Sequence, residues 1–192
     1  EILRLLDGIP DPRWQFAVQL CSTYGLRPEE LRWLRIKDGP HGPELWTIYQ
    51  KSMGGRKGDK TKPRRLQPLL VRDPNGSSID WNLQARIQIG EELPPLQSNG
   101  EGAQALNNYL SRREVWRALK AEALNSGEQL TAYTFRHRYS KASHGAGLPL
   151  ANISAAMGHC IQVHLLSYAR FQPDATGDLY AQANAAALKT IG

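Results

Sequence analysis

The sequence predicts a mostly α-helical domain with a small antiparallel β-sheet near residues 45–70. Apolar residues make up 41% of the chain, which is enough to build a core. They recur at helical spacing over most of its length. Only Leu45–Gln50 concentrates the aromatic and β-branched residues that favour strands. The 192 residues suit one globular domain, and we expect residues 1–192 to form a single one.

The N-terminal part of the chain predicts three helices. Glu1–Leu6 has a short amphipathic pattern that ends in a Gly- and Pro-containing turn. Arg13–Tyr24 places its apolar residues on one face, and Gly25 is a suitable stop. A third helix is expected to begin at Pro28, with two glutamates at its positive end, and to run to about Leu34.

The expected sheet is a hairpin of Leu45–Gln50 and Arg64–Leu69. Between these strands lies a basic, glycine-rich loop, S-M-G-G-R-K-G-D-K-T-K-P. Asp73–Ser78 follows as a turn, because it combines Asp, Pro, Asn and Gly.

The remaining chain is predicted to be helical, apart from a loop over Glu91–Gly102 that contains two prolines and two glycines. The last helix, rich in alanine, either docks on a neighbouring protomer or covers its own core. The expected helices are Ile79–Ile89, Ala103–Leu110, Arg112–Asn125, Phe135–Ser143, Leu150–Met157, Gln162–Ala169 and Ala175–Leu188.

Charge and cysteine content limit the function classes. The formal net charge is +6 and the pI is about 9.5, which favours a polyanionic partner such as nucleic acid. Cys21 and Cys160 form neither a disulfide framework nor a zinc-ligand spacing, so we expect two buried thiols in a reducing cytoplasm and no metal site.

No apolar run approaches the ~20 residues of a membrane span, and the first residues do not read as a signal peptide. A start on a helical pattern without Met is expected of a fragment cut at a domain boundary.

Four short stretches carry residues suited to phosphate chemistry. Tyr24–Leu31 reads Y-G-L-R-P-E-E-L, and Tyr133–Ser140 reads Y-T-F-R-H-R-Y-S. Met157–His159 reads M-G-H, and Tyr168 follows nine residues after the histidine. Each motif alone is weak, but their order and spacing together are specific.

Together these motifs resemble the catalytic domain of the tyrosine recombinases, the phage integrase family. The blocks of that family read roughly G-L-R-x-x-E-L, H-x-L-R-H-T and L-G-H, with a tyrosine nucleophile nine residues after the last block. The agreement covers about Arg13–Phe171. The resemblance implies the catalytic-domain fold of the family. It also implies that the N-terminal DNA-clamping domain of full-length members is absent here.

The resemblance implies site-specific cleavage and rejoining of double-stranded DNA through a 3′-phosphotyrosine. The reaction of the family uses neither a metal nor another cofactor, because the phosphotyrosine keeps the bond energy needed for rejoining. The implied assembly is a homo-tetramer on specific recombination sites, with the isolated domain a monomer and no membrane partner. The implied setting is the cytoplasm, with a gene carried by a bacterium, a phage or a mobile element.

By the resemblance, Arg27 and Arg136 clamp the non-bridging oxygens of the phosphate. Two guanidinium groups suit this task because they stay charged and bind phosphate bidentately. His159 is the implied third donor. Tyr133 stands where the family usually has histidine; it can donate a hydrogen bond but cannot act as an imidazolium. Tyr168 is the implied nucleophile.

Some assignments stay open in the sequence. Tyr139 and Tyr180 are rivals of Tyr168. The leaving 5′-oxygen needs a proton, which a lysine of the hairpin supplies in the family. Lys51, Lys57, Lys60 and Lys62 all qualify, and we favour Lys51 because the end of a strand positions a group better than a loop tip.

Basic residues around the hairpin predict a DNA-facing stripe. Phosphate contacts position DNA without reading its sequence, so the target site is not encoded in this pattern. The alternatives are a type IB topoisomerase-like enzyme, a telomere resolvase, or a non-catalytic DNA-binding regulator. The expected stripe comprises Arg56, Lys57, Lys60, Lys62, Arg64 and Arg65, and Arg138 and Lys141 are expected to follow the DNA backbone as well.

Overall fold

A computed structural model describes residues 1–51, 60–96 and 101–168, together with residues 177, 178, 180, 181, 184 and 185. At Tyr168 it describes the backbone alone. The prediction of an α-rich chain with a small antiparallel sheet is confirmed. Within the described residues, no helix combines the length and apolar character needed to cross a membrane.

Residues 1–51, 60–96 and 101–168 form eight α-helices, one 3-10 helix and five short strands. The helices are α1 Ile2–Asp7, α2 Pro12–Tyr24, the 3-10 helix Pro28–Trp33, α3 Leu83–Gln88, α4 Gly102–Ser111, α5 Glu114–Asn125, α6 Thr134–Gly145, α7 Leu150–Met157 and α8 Ile161–Tyr168. The strands are β1 Leu34–Gly39, β2 Gly42–Thr47, β3 Arg64–Arg65, β4 Val71–Arg72 and β5 Ser78–Ile79.

The main sheet differs from the predicted two-stranded hairpin. It has three antiparallel strands in the order β1-β2-β3, and Leu34, expected to end a helix, instead begins β1 opposite Thr47. The sequence obscures β1 because charged residues alternate with its few apolar ones. Pairing with β2 stabilises the strand, and the Lys37 ammonium lies 4.5 Å from the centre of the Trp46 ring.

A second difference concerns the predicted helix Ile79–Ile89. Ile79 belongs to β5 and pairs with Val71 of β4, so the turn after β4 closes a second small hairpin. Asn82 then adopts a left-handed backbone with φ of 50°, and its N–H donates to the Asp80 carboxylate at 2.8 Å. This local turn prevents helix formation before Leu83.

The core is built around α2. Residues Phe16 to Cys21 of this helix are buried almost completely. Trp14 stacks on Tyr109 of α4 with ring centres 4.4 Å apart, and α6 packs along α2. The prediction of a buried thiol is right for Cys21 and wrong for Cys160, which is exposed between α7 and α8. This packing brings the end of α2 next to α6.

Gly25 ends α2 in a conformation that a side chain would disturb. Its φ is 61°, and an added Cβ would lie 2.6 Å from a ring carbon of Tyr139. We expect Gly25→Ala to lower the free energy of unfolding by about 2–5 kcal/mol, the sum of left-handed strain and overpacking. Urea denaturation measures this loss.

Gly76→Ala is the matched control. Gly76 also has a positive φ, 85°, but an added Cβ would meet no atom within 4 Å. Its loss is expected to be about 1–2 kcal/mol, the strain alone. Equal losses in the two variants would contradict a close approach of Tyr139 to Gly25.

Candidate functional site

One buried carboxylate gathers three arginines from distant parts of the chain. The Glu30 side chain is fully buried in the 3-10 helix. Both of its oxygens accept hydrogen bonds from the Arg64 guanidinium. Nη1 of Arg27 lies 3.5 Å from one oxygen, and Nη1 of Arg136 lies 3.8 Å from the other. We call these four side chains the guanidinium cluster.

Arg27 and the guanidinium of Arg136 are held at the cluster by different hydrogen bonds. Arg27 precedes the 3-10 helix, and its N–H donates to a Glu30 oxygen at 2.8 Å. Arg136, on α6, donates to the carbonyl of Gly25 at 2.6 Å and to the carbonyl of Met157. The structure therefore brings together residues from three of the four sequence motifs.

Arg64 also packs against the end of α7, where the M-G-H motif begins. Its Nε donates to the carbonyl of Ala156 at 2.8 Å. Gly158 ends α7 with φ of 68°, and an added Cβ there would lie 2.9 Å from Nη1 of Arg64. A glycine between Met157 and His159 therefore gives the arginine room to pack against this turn.

The cluster has an excess of positive charge. Three guanidinium groups share one carboxylate, so these four side chains together carry two net positive charges. Burial alone would raise the pKa of Glu30, but the hydrogen bonds and charge of Arg64, with Arg136 and Arg27, hold it below its usual range. Glu30 thus stays ionised, and the surplus of cations suits an anion such as phosphate.

Two tyrosines border the cluster. Tyr133 precedes α6 and is 37% exposed. Burial raises the pKa of its phenol, while the charges of Arg27 and Arg136 act in the opposite direction. Tyr49, which follows β2, has its pKa raised by burial and is affected by the charges of Glu29 and Arg27. Both hydroxyl groups are therefore within electrostatic reach of Arg27.

His159 lies in the turn after α7, close to the same charges. Its Nε2 is 2.9 Å from Nδ1 of His164, on α8. Burial, followed by the charges of Arg136 and then of the other neighbours, lowers the pKa of His159 to about 3. A neutral imidazole at this position can still donate one hydrogen bond to a ligand.

Two arginines of the expected DNA-facing set are turned inward, which corrects that expectation. Arg64 is bound to Glu30, as described above. Arg138 donates to the carbonyls of Ser22, Leu69 and Leu70 at 3.1–3.2 Å. Buried carbonyl oxygens need donors, and these guanidinium groups satisfy them.

The other predicted basic residues lie at the surface or outside the described residues. The exposed residues of this set are Lys51, Lys60, Lys62, Arg65 and Lys141. Arg65 forms an ion pair with Glu44 at 2.8 Å. β2 ends at Thr47, so Lys51 is not at the end of a strand as expected. Its backbone is nevertheless fixed, because its N–H donates to Oγ1 of Thr61 at 2.9 Å. Arg56 and Lys57 fall outside the described residues.

The three candidate tyrosines occupy different settings. Tyr168 is the last residue of α8, and its side chain falls outside the described atoms. Tyr139 is buried on α6, and its hydroxyl donates to the carbonyl of Gln67 at 2.9 Å. That phenol supports the packing of the fold. Tyr180 is helical and 70% exposed.

Sequence reasoning did not identify the roles of the paired glutamates. The sequence pattern predicts both as acids at the positive end of a helix. Glu30 instead faces the arginines, and Glu29 accepts the N–H groups of Gly102 and Ala103 at 2.9 Å, which caps α4. The available signal was the second glutamate of G-L-R-P-E-E-L, which the family pattern contains.

No protein-family model, curated protein or solved structure matches this chain.

Among the described residues, no group of three or more His, Cys, Asp or Glu side chains is arranged to hold a metal ion.

Removing the charge of Glu30 tests whether it organises the cluster. Glu30→Gln keeps the size of the side chain but leaves three guanidinium groups without their shared anion. We expect a loss of about 3–5 kcal/mol in the free energy of unfolding, which is typical when one partner of a buried ion pair is removed. Glu122→Gln is the control, because it removes the carboxylate of an exposed pair with Arg4 and should change stability little. Equal effects in the two variants would contradict a central role for Glu30.

The histidine pKa values predict an acid-sensitive fold. Because the folded-state pKa of His159 is about 3, below its ordinary value, the unfolded chain binds a proton that the folded chain excludes as the pH falls. Stability is therefore present above about pH 6.5 and is lost as the pH approaches 3. Urea unfolding at pH 5, 6 and 7 measures the trend, and NMR titration locates the midpoint for His159. A midpoint near 6.5 would contradict the burial and charge environment described.

Proposed function

We propose that this chain is the catalytic domain of a tyrosine recombinase, with the catalytic-domain fold of that family. It cuts and rejoins double-stranded DNA at specific sites through a 3′-phosphotyrosine. The observation that carries the proposal is the convergence of Arg27, Arg136 and the turn bearing His159 around one buried carboxylate. Three sequence motifs that define the family pattern therefore meet at one place.

The cluster supplies what phosphoryl transfer at a diester requires. Negative charge grows on the non-bridging oxygens as the phosphorus becomes pentacoordinate, and fixed cations stabilise it. Arg27 and Arg136 take this role, with Tyr133 and His159 as neutral donors. Arg64 and Glu30 hold the two arginines in place, so little reorganisation is needed when the phosphate arrives.

Tyr168 is the proposed nucleophile. Its phenolic oxygen loses its proton to solvent and attacks phosphorus, the bond from phosphorus to the 5′-oxygen breaks, and the product is a 3′-phosphotyrosine. The 5′-oxygen leaves as a hydroxyl after taking a proton from a lysine. Rejoining is the reverse reaction, so no nucleotide cofactor is consumed. α8 links Tyr168 directly to the turn that carries His159.

Lys51 is the proposed proton donor. Its backbone forms two hydrogen bonds of 2.9 Å with Thr61, which fix the position of the residue four positions after the end of β2. Lys60 lies at the other end of the intervening segment, and Lys57, Lys60 and Lys62 stay the alternatives. Exposed Lys62, Arg65 and Lys141 are the proposed phosphate contacts along the duplex.

Covalent trapping tests the proposal. A nicked suicide duplex carrying a recombination site loses the fragment that would rejoin, so a protein–DNA adduct accumulates and survives a denaturing gel. We expect an adduct with the unaltered protein, also in the presence of EDTA. Tyr168→Phe should bind DNA but form none, because it lacks only the attacking oxygen. Arg27→Ala should slow adduct formation about 10²–10³-fold.

Tyr180→Phe is the matched control, since it removes the same oxygen from an exposed tyrosine. It should leave the adduct intact. An adduct that persists in Tyr168→Phe would move the nucleophile elsewhere, and an unaltered protein that binds the duplex without any adduct would favour the non-catalytic regulator. Relaxation of supercoiled DNA by the protein on a single site would favour the type IB topoisomerase-like alternative.

A further inference from the structure

Three imidazoles form a continuous row that ends at His159. Nε2 of His159 lies 2.9 Å from Nδ1 of His164, and Nε2 of His164 lies 2.9 Å from Nε2 of His144. His164 is fully buried and His144 is 7% exposed. His144 belongs to α6 with Arg136, and His164 belongs to α8 with Tyr168. Neither residue is part of the four motifs.

The geometry of the row argues against a shared metal ion. Nδ1 of His164 contacts His159 and Nε2 of His164 contacts His144. The lone pairs of these two nitrogens point in different directions from the ring. A single ion therefore cannot bind His144, His164 and His159 together. The links are instead hydrogen bonds, each of which needs one N–H and one lone pair.

Counting protons gives the row only two neutral arrangements. If His164 carries its proton on Nδ1, it donates to His159 and accepts from Nε2 of His144. His159 then carries its proton on Nδ1. If His164 carries its proton on Nε2, both links reverse and His159 is protonated on Nε2. The tautomer of His159 is thus tied to that of His144 through His164.

The surroundings keep all three rings neutral. Burial lowers the pKa of His144, of His159 and of His164, and the charge of Arg136 lowers the last two further. A neutral row must adopt one of the two arrangements, because a charged ring would disrupt one or both links.

We propose that His144 and His164 are positioning residues that hold His159 as the Nδ1–H tautomer when a phosphate occupies the guanidinium cluster. Nε2 of His159 is bonded to His164, so a hydrogen bond from His159 to an anion must come from Nδ1. An anion that accepts this bond selects the arrangement in which every ring donates toward the cluster. The identification of that anion as the scissile phosphate rests on the proposed function, whereas the coupling of the three rings does not.

Long-range ¹H–¹⁵N NMR of the whole chain reads the tautomer of each ring directly. With inorganic phosphate added as the probe, we expect His159 and His164 as Nδ1–H and His144 as Nε2–H. His144→Ala should shift the His159 tautomer populations across two links. An Nε2–H tautomer of His159 in the presence of phosphate, or populations unchanged in His144→Ala, would overturn the proposal.

Paired substitutions of His164 separate positioning from packing. Asn can place an amide N–H where Nδ1–H of the imidazole lies, whereas Leu places no donor there. His164→Leu should slow adduct formation roughly 10–100-fold with DNA affinity unchanged, by analogy with the hydrogen-bond partners of metal-bound histidines. His164→Asn should recover most of that rate. His41→Gln, in the exposed turn between β1 and β2, is the control and should match the unaltered protein.

The outcomes distinguish this proposal from the function on which it rests. If the unaltered protein forms no adduct, the recombinase proposal fails, while the tautomer spectra still decide whether the row is coupled. If the adduct forms and His164→Leu reacts as fast as the unaltered protein, positioning by His164 is wrong and the recombinase proposal stands. An His164→Asn rate no higher than that of His164→Leu would likewise overturn the role of the Nδ1–H donor.

Discussion

The ion pairs of Glu30 with three arginines are the interaction on which the site depends. Three guanidinium groups in one small volume repel one another, and desolvation raises the cost of each charge. A single buried carboxylate offsets much of this cost because it contacts all three. The carbonyls of Gly25, Ala156 and Met157 accept further hydrogen bonds from the same groups. A site built in this way holds its cations in place before any ligand binds.

The same contacts connect secondary-structure elements that are distant in the sequence. Glu30 lies in the 3-10 helix, Arg64 in β3 and Arg136 in α6, so one cluster joins the sheet to the helices. α2 supplies the apolar support beneath it, and Tyr139 closes the gap against Gly25. The polar cluster therefore lies next to the apolar core, because α2 packs against both the 3-10 helix and α6.

The sequence predicts part of this arrangement and leaves part of it hidden. Arg27, Arg136 and His159 are recognisable because their motifs have a fixed order and spacing. The inward position of Arg64 is not, because it depends on the pairing of β3 with β2 and on the carbonyl of Ala156, 92 residues away. β1 is hidden by its charged residues, and the link from His144 to His164 has no local signal because it spans 20 residues. Long-range pairings of this kind are decided by tertiary packing, which periodicity does not encode.

A crystal structure of the protein bound to a nicked DNA duplex would show whether the guanidinium cluster holds the scissile phosphate. We expect the scissile phosphate in hydrogen-bonding contact with Arg27, Arg136 and Nδ1 of His159, while Arg64 remains on Glu30. We also expect the Tyr168 oxygen in line with the leaving 5′-oxygen. A duplex bound with its phosphates on another face, and no phosphate within reach of Arg27 or His159, would contradict the assignment of the guanidinium cluster as the reaction site.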